Sequence, residues 1–452
     1  MPTAIEGNAT TRTLLLRLAG ARRLTDALFG IVSPDSLYDR PIAERHRIVF
    51  YIGHLEAFDW NLMRQRLLDL PAFHPGFDNL FAFGIDPVDG GLPADQPRDW
   101  PSMEQVRSYV TDVRRKIDDR LDDPELCRRA PKAEPDADFD TLLNVAIEHR
   151  LMHAETLAYM FHQLPHAKKI SPELAASPVP STLLAPSSPA SGMIDVPAGT
   201  ATLGLSRTER DAFGWDNEYE VHSVEVPAFS IDNHKVTNRQ FLDFVEAGGY
   251  QSRDLWTPSD WDWRASNQID FPVFWKMTSE GWHYRAMFHE IPLPMEWPVY
   301  VSHAEASAYA RWTGKCLPTE AQWHRAAYAT PEGPERPYPW GDEAPDPQKG
   351  NFDFSHWDPT PVGTFPAGTS AFGVNELVGN GWEWTSTPFQ PFSGFKPFSF
   401  YPGYSANFFD GKHYVIKGGS ARTAASMLRR SFRNWFQPHY QYVYAGFRCV
   451  TN

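Results

Sequence analysis

One change of grammar constrains this chain more than any motif. From Pro165 to Gly192 the sequence reads PHAKKISPELAASPVPSTLLAPSSPASG, rich in Pro, Ser and Ala and without helical period. Such a stretch propagates neither a helix nor a strand, so residues 165–192 read as a linker. The segments on either side must then each bury a core of their own. A length of 452 residues is enough for two domains.

Residues 10–164 read as four helices. The first covers TRTLLLRLAGARRLTDALFGIV. The second starts near Pro41, a residue suited to a first helical turn, and runs through AERHRIVFYIGHLEAFDWNLMRQRLL. The third follows WPSMEQ, where Ser102 and Gln105 have capping-box spacing. The fourth runs from about Asp140 to Leu164, where Pro165 stops it. Four amphipathic helices with one long connection, residues 70–101, predict a four-helix bundle.

Residues 193–452 change to strand, turn and loop. VEVPAFSIDNHKVTNRQFLDFV reads as strand, turn and short helix; SHAEASAYARWTG and PTEAQWHRAAYA read as two further helices. Long stretches rich in Gly, Pro, Trp and Phe fill the remainder. The expected fold class is α+β multidomain: an N-terminal bundle followed by a mixed α+β domain held by irregular loops.

Composition excludes several classes of function. A net charge of −14 argues against nucleic-acid or anionic-membrane partners. Cys127, Cys316 and Cys449 are too few and too dispersed for a disulfide framework or a cysteine zinc site. The N-terminal stretch lacks the basic-then-apolar pattern of a signal peptide, and no apolar run approaches a membrane span. These readings predict a reduced, cytoplasmic protein, and they say little about a small substrate.

Within EHRLMHAETL, His149 and His153 lie one helical turn apart, about 6 Å along the axis. They share a face with Leu142, Val145, Met152, Thr156 and Met160. Two neutral imidazoles at i and i+4 can bind one ion in common. A third ligand is available on the second helix, where His54 lies near the stripe Tyr51, Leu55, Phe58 and Leu62. The plainer reading is three hydrogen-bonded core histidines. Three nitrogen ligands permit Zn, Fe, Cu or Ni, and spacing does not choose among them. His162 and His166 are a competing pair interrupted by Pro165, and His46 and His74 look like surface or loop residues.

GHLEAF followed by EHRLMHAETL resembles the DinB-like metal-binding bundle of the ergothioneine-type sulfoxide synthases. The second half resembles their formylglycine-generating-enzyme-like domain, a C-type-lectin-like fold, in FGWDNEYEVHSVEVPAFSIDNHKVTNRQFLDFVEAGGY, PVYVSHAEASAYARWTGKCLPTEAQWHRAA, VGNGWEWTSTP and VIKGGSA. The resemblance implies a non-haem Fe(II) enzyme with O2 as co-substrate that joins a chalcogen donor to the imidazole C2 of hercynine, a trimethylated histidine. It implies His54, His149 and His153 as iron ligands, and it maps a catalytic tyrosine to Tyr401 in GFKPFSFYPGYSANFF, with Tyr404 as a substrate contact. In SFRNWF, Asn434 can hydrogen-bond a carboxylate or imidazole, and Trp435 can pack on a trimethylammonium group.

The chain departs from the resemblance at three positions. Relatives that use γ-glutamylcysteine carry an acidic residue directly after RNW and an arginine four positions later, where this chain has Phe436 and Tyr440. Met152 replaces a polar residue that often precedes the second helix histidine. A donor without amino-acid charges fits these changes, and Phe436, Tyr440 and Tyr442 can stack on a sugar ring. The selenoneine synthase branch, which couples a selenosugar to hercynine, is therefore the expected one. A sulfur donor such as cysteine remains the alternative. A metal-dependent thiol transferase and a non-catalytic lectin-like binding protein are readings of another class, and neither consumes O2.

Overall fold

The computed structural model describes residues 4–82, 93–123, 126, 136–172, 192–209 and 212–452. Most of the expected linker, residues 173–191, and Cys127 lie outside the described residues. The chain forms two compact units. The first comprises Met1–Pro172 with the short segment Phe398–Pro402, and the second comprises Glu173–Pro397 with Gly403–Asn452.

The first unit is a helical bundle built from α1 (Ala4–Gly30), α2 (Ile48–Met63), α4 (Met103–Leu121) and α5 (Phe139–His162), with a short α3 (Pro75–Leu80) in the long connection. α1 packs along α5, and α2 packs against α4 and α5. Ser102 caps α4: its hydroxyl accepts from Gln105 N–H while the Gln105 side chain accepts from Ser102 N–H. Asp138 caps α5 through Thr141 N–H at 2.7 Å. α5 is buried on most of its circumference, which lets it carry polar residues on two faces.

The second helix begins at Ile48, not near Pro41. Residues before it form a loop that folds back on the helix start, with Ile48 N–H donating to Asp39 C=O and Val49 N–H to Leu37 C=O. Arg47 is extended at the cap, and its guanidinium, with that of Arg40, is pinned on Asp95. Tertiary charge pairing therefore overrides the local start signal that proline offers.

In the second unit, β1 (Met193–Val196), β4 (Phe229–Asp232) and β12 (Val450–Thr451) form an antiparallel sheet in the order β1-β4-β12. β2 (Gly199–Leu203) and β3 (His222–Val226) form a two-stranded ladder. β5 (Trp275–Thr278), β6 (Gly281–Arg285) and β7 (Glu290–Pro292) form a meander. The fourth sheet has the order β10-β9-β8-β11, from β8 (Trp382–Pro388), β9 (Tyr414–Lys417), β10 (Asn434–Phe436) and β11 (Ala445–Gly446), with β11 parallel to β8. The helices are α6 (Asn238–Glu246), α7 (Pro258–Ser266), α8 (His303–Trp312) and α9 (Glu320–Tyr328).

α7 falls in a stretch expected to be loop; Thr257 caps it and Pro258 opens its first turn. Trp323 of α9 packs with Phe229, Ile231 and Val450 in the core. Its indole N–H donates to Glu383, which also binds Arg448 and Lys235 in a fully buried charged cluster. GNGWEWT and LPTEAQW are thus framework segments.

Candidate metal centre and aromatic wall

α2 and α5 bring His54, His149 and His153 together in the bundle interior. The three side chains are buried, at 5%, 4% and 4% exposure. His153 Nε2 lies 3.2 Å from His54 Nε2 and 3.2 Å from His149 Nε2, and the three donor atoms fall within 4.8 Å of one another. His54 Nδ1 is 2.7 Å from the Phe81 carbonyl, so Nδ1 carries the proton and Nε2 presents its lone pair. Burial is the main cause lowering all three imidazoles, His54 to about 4 and the other two well below the ordinary value. At neutral pH the rings are uncharged, the form that ligates metals.

These residues fit a metal ion. Neutral imidazole nitrogens converging without a proton between them repel unless a cation lies among them. Ligands at about 2.1 Å from one ion stand roughly 3.0–3.4 Å apart for angles of 90–109°, a range that contains the two 3.2 Å spacings from His153 to His54 and to His149. His149 Nδ1 and His153 Nδ1 are buried without a hydrogen-bond partner among the described residues.

The surroundings fix the helices that carry the three histidines. Arg150, next to His149, turns to the other side of α5, where it donates to Glu56 at 3.0 Å, Asp59 at 2.7 Å and the Leu55 carbonyl at 3.1 Å. Arg114 of α4 also donates to Glu56. This cluster ties α2 to α5 within two residues of His54 and one of His149. Phe50 stacks on the His54 ring at 4.8 Å, and Phe58 stacks on His149 at 3.4 Å with planes 9° apart. The Tyr401 ring, on the short segment that packs with the bundle, lies 5.5 Å from Phe58. Met152 is half-buried on α5, between His149 and His153.

In the second unit, Asn434 and Trp435 lie on β10. Trp435 stacks on Phe389 at 4.1 Å and is flanked by Tyr404 at 5.5 Å; Tyr404 itself stacks on Trp215 at 4.0 Å. The Asn434 side-chain oxygen Oδ1 accepts from Trp435 N–H. Phe436 and Tyr440 stack on each other at 5.4 Å with planes 8° apart, and Tyr442 meets Tyr440 edge-on at 5.5 Å. The expected residues thus form two groups, one in each unit. Sequence reading missed the Phe58 and Phe50 stacks, the Phe81 carbonyl and the Arg150 cluster. Of the competing histidines, His162 is buried, and His74 is exposed and accepts from Phe77 N–H. His46 is half-buried and packs on Phe50.

Three buried imidazoles that could hold one metal ion, in a helical bundle followed by a mixed α+β domain, define the class as a two-domain chain with a candidate metal centre. Residues 17–157 match the DinB superfamily, and residues 181–452 match the sulfatase-modifying factor enzyme 1-like domain family. A hercynine oxygenase of Mycolicibacterium thermoresistibile is 36% identical over 358 residues, covering 77% of this chain and 75% of the relative. An ergothioneine biosynthesis protein 1 of Schizosaccharomyces pombe is 29% identical over 452 residues, covering 93% of this chain and 54% of the relative, so the chain spans about half of that fungal protein. A formylglycine-generating enzyme of Mycobacterium tuberculosis is 31% identical over 302 residues, covering 58% of this chain and 97% of the relative. The chain belongs to the ergothioneine-type sulfoxide synthase family. Among the described residues, no helix is long and apolar enough to cross a membrane.

Proposed function

We propose that this chain is an Fe(II)- and O2-dependent enzyme that forms a C–Se bond between a selenosugar and the imidazole C2 of hercynine. The observation that carries the metal chemistry is the buried cluster of His54, His149 and His153. Iron held there supplies redox chemistry and open positions for small ligands. In the overall reaction the selenol hydrogen and the C2 hydrogen leave with one oxygen of O2 as water. The other oxygen stays on selenium as a selenoxide.

The protein's own residues orient and discriminate. The Asn434 NH2 group is suited to donate to the hercynine carboxylate, since the side-chain oxygen Oδ1 is already engaged by Trp435 N–H. Trp435 and Tyr404 offer aromatic surface to a trimethylammonium group. Tyr401 is the proposed proton or electron donor, and its packing on Phe58, which stacks on His149, supports that role. Phe436 and Tyr440 form an uncharged stack where a charged clasp would serve an amino-acid donor. Met152 removes a polar contact from the same helix as the ligands.

Likeness to hercynine oxygenases and an ergothioneine biosynthesis protein favours a second reading, a C–S bond to cysteine or another thiol. Anaerobically purified, iron-loaded protein offered hercynine with a selenosugar, cysteine or γ-glutamylcysteine separates the two by mass spectrometry of the products. Coupling of the selenosugar is expected. Coupling of a thiol alone overturns the selenium assignment, and absence of O2 uptake with every donor overturns the oxidative reading in favour of a thiol transferase or binding protein.

A further inference from the structure

Gly53 sits in the middle of the buried helix α2, directly before His54. Glycine in a helix interior is about 1 kcal/mol less favourable than alanine, so its place here calls for a physical reason. The reason is the Phe81 ring. A Cβ added at Gly53 would stand 2.5–2.6 Å from Phe81 Cγ, Cδ1 and Cδ2, far inside contact distance. The ring therefore lies flat against the α2 backbone, fully buried among Phe50, Phe77, Trp100 and Tyr109.

That close approach has a polar counterpart. Phe81 follows the last turn of α3, and its carbonyl reaches His54 Nδ1 at 2.7 Å. α3 is held in place independently, by Asn61 donating to the Asp78 carbonyl at 3.0 Å and by Tyr109 O–H donating to the Asp78 carboxylate at 2.8 Å. Of the three clustered histidines, His54 is the one whose Nδ1 has a protein acceptor among the described residues.

We propose that Gly53 is a positioning residue for the metal centre: by leaving room for the Phe81 ring against α2 it lets the Phe81 carbonyl, carried by the end of α3, reach His54 Nδ1 and fix the tautomer and orientation of that ring. The inference rests on the reading of the histidine cluster as a metal site. Hydrogen bonds behind a ligating imidazole hold the ring and raise its basicity, and their loss typically costs 10–100-fold in metal affinity.

The test is anaerobic Fe(II) titration of the full chain, with Co(II) absorption spectra as a second readout and 15N-histidine NMR of the metal-free protein. Gly53→Ala should bind Fe(II) about 10–100-fold more weakly with unchanged circular dichroism. Gly53→Ala combined with Phe81→Ala should recover affinity, because the smaller side chain makes room while the backbone carbonyl remains. Metal-free wild type should show His54 protonated at Nδ1, a result that needs no variant to fold. Wild-type affinity in Gly53→Ala, a double variant as weak as the single one, or a His54 proton on Nε2 overturns the role of Gly53. A wild-type chain that binds neither ion overturns the metal-centre reading itself.

Discussion

The Phe58 ring lies face to face on His149, with centroids 3.4 Å apart, and meets Tyr401 edge-on at 5.5 Å. One phenyl group thus links a candidate ligand to the candidate catalytic tyrosine. Offset and edge-on aromatic pairs contribute about 0.5–1.5 kcal/mol beyond area burial, or roughly 2- to 12-fold in an equilibrium constant, which sets the upper scale for this closer, face-to-face pair. Phe58→Ala should weaken Fe(II) binding by about that factor. Anaerobic titration measures it, and unchanged affinity would leave the stack without a part in holding His149.

Tyr401→Phe removes one hydroxyl and keeps the ring that packs on Phe58. Iron binding should stay at the wild-type level while the rate of oxidative coupling falls. Single-turnover kinetics with matched iron loading separates the two quantities. An unchanged rate would remove Tyr401 from proton or electron transfer.

His149→Ala and His153→Ala each leave two imidazoles where three converge. Both variants should be purified without stoichiometric iron and should consume no O2 in the presence of hercynine and donor. Elemental analysis and an oxygen electrode report the two properties. Chelation of wild-type iron should reproduce the phenotype, with activity restored by Fe(II). Full occupancy and turnover in either variant would contradict its assignment as a ligand.

Phe436→Asp combined with Tyr440→Arg rebuilds the charged pair that this chain lacks. The double variant should gain activity with γ-glutamylcysteine and lose it with the uncharged sugar donor. Ratios of kcat/KM for the competing donors measure the switch. An unaltered ratio would place donor choice elsewhere.

Glu383 is fully buried beside Arg448 and Lys235. Burial alone would raise its carboxyl, but the two cations hold it below the ordinary carboxylate value. A depressed carboxylate contributes stability that is present above the unfolded-state pKa, about 4.3, and lost as pH falls through the folded-state value. Glu383→Gln strands two buried cations and should destabilise the second unit by about 3–5 kcal/mol at neutral pH. Its stability should also fall less than that of wild type on acidification below about pH 5. Urea unfolding followed by tryptophan fluorescence checks both, and a parallel pH dependence would count against Glu383 as the titrating group.

The histidine trio was legible because helical period and identity coincide: His149 and His153 fall one turn apart on an apolar face, and His54 lies near another such stripe. The caps at Ser102 and Asp138 are local chemistry, and Ser102 announced itself. What sequence reading lost was tertiary. The start of α2 was misplaced because Pro41 gives a local signal that the Asp95 clamp on Arg40 and Arg47 overrides. α7 was unread because SDWDWRAS has no clean apolar period, although Thr257-Pro258 is a start signal. The Phe81 carbonyl on His54 involves residues 27 apart in a connection without long-range pattern. Gly53 offered a clue, a glycine inside an otherwise strong helix, that only the position of Phe81 explains.

The segment Phe398–Pro402 is encoded deep in the second half of the chain, yet it packs as part of the bundle. Ser399 is fastened there by two hydrogen bonds to the Asp136 carboxylate, at 2.5 Å and 2.8 Å. The halves are therefore not interchangeable cassettes. A bundle expressed alone would lack Tyr401, and grafting a bundle from a relative would demand a matching partner for Ser399. The Tyr401 ring and the Phe58 ring it meets thus come from opposite halves of the sequence, and neither half alone holds both.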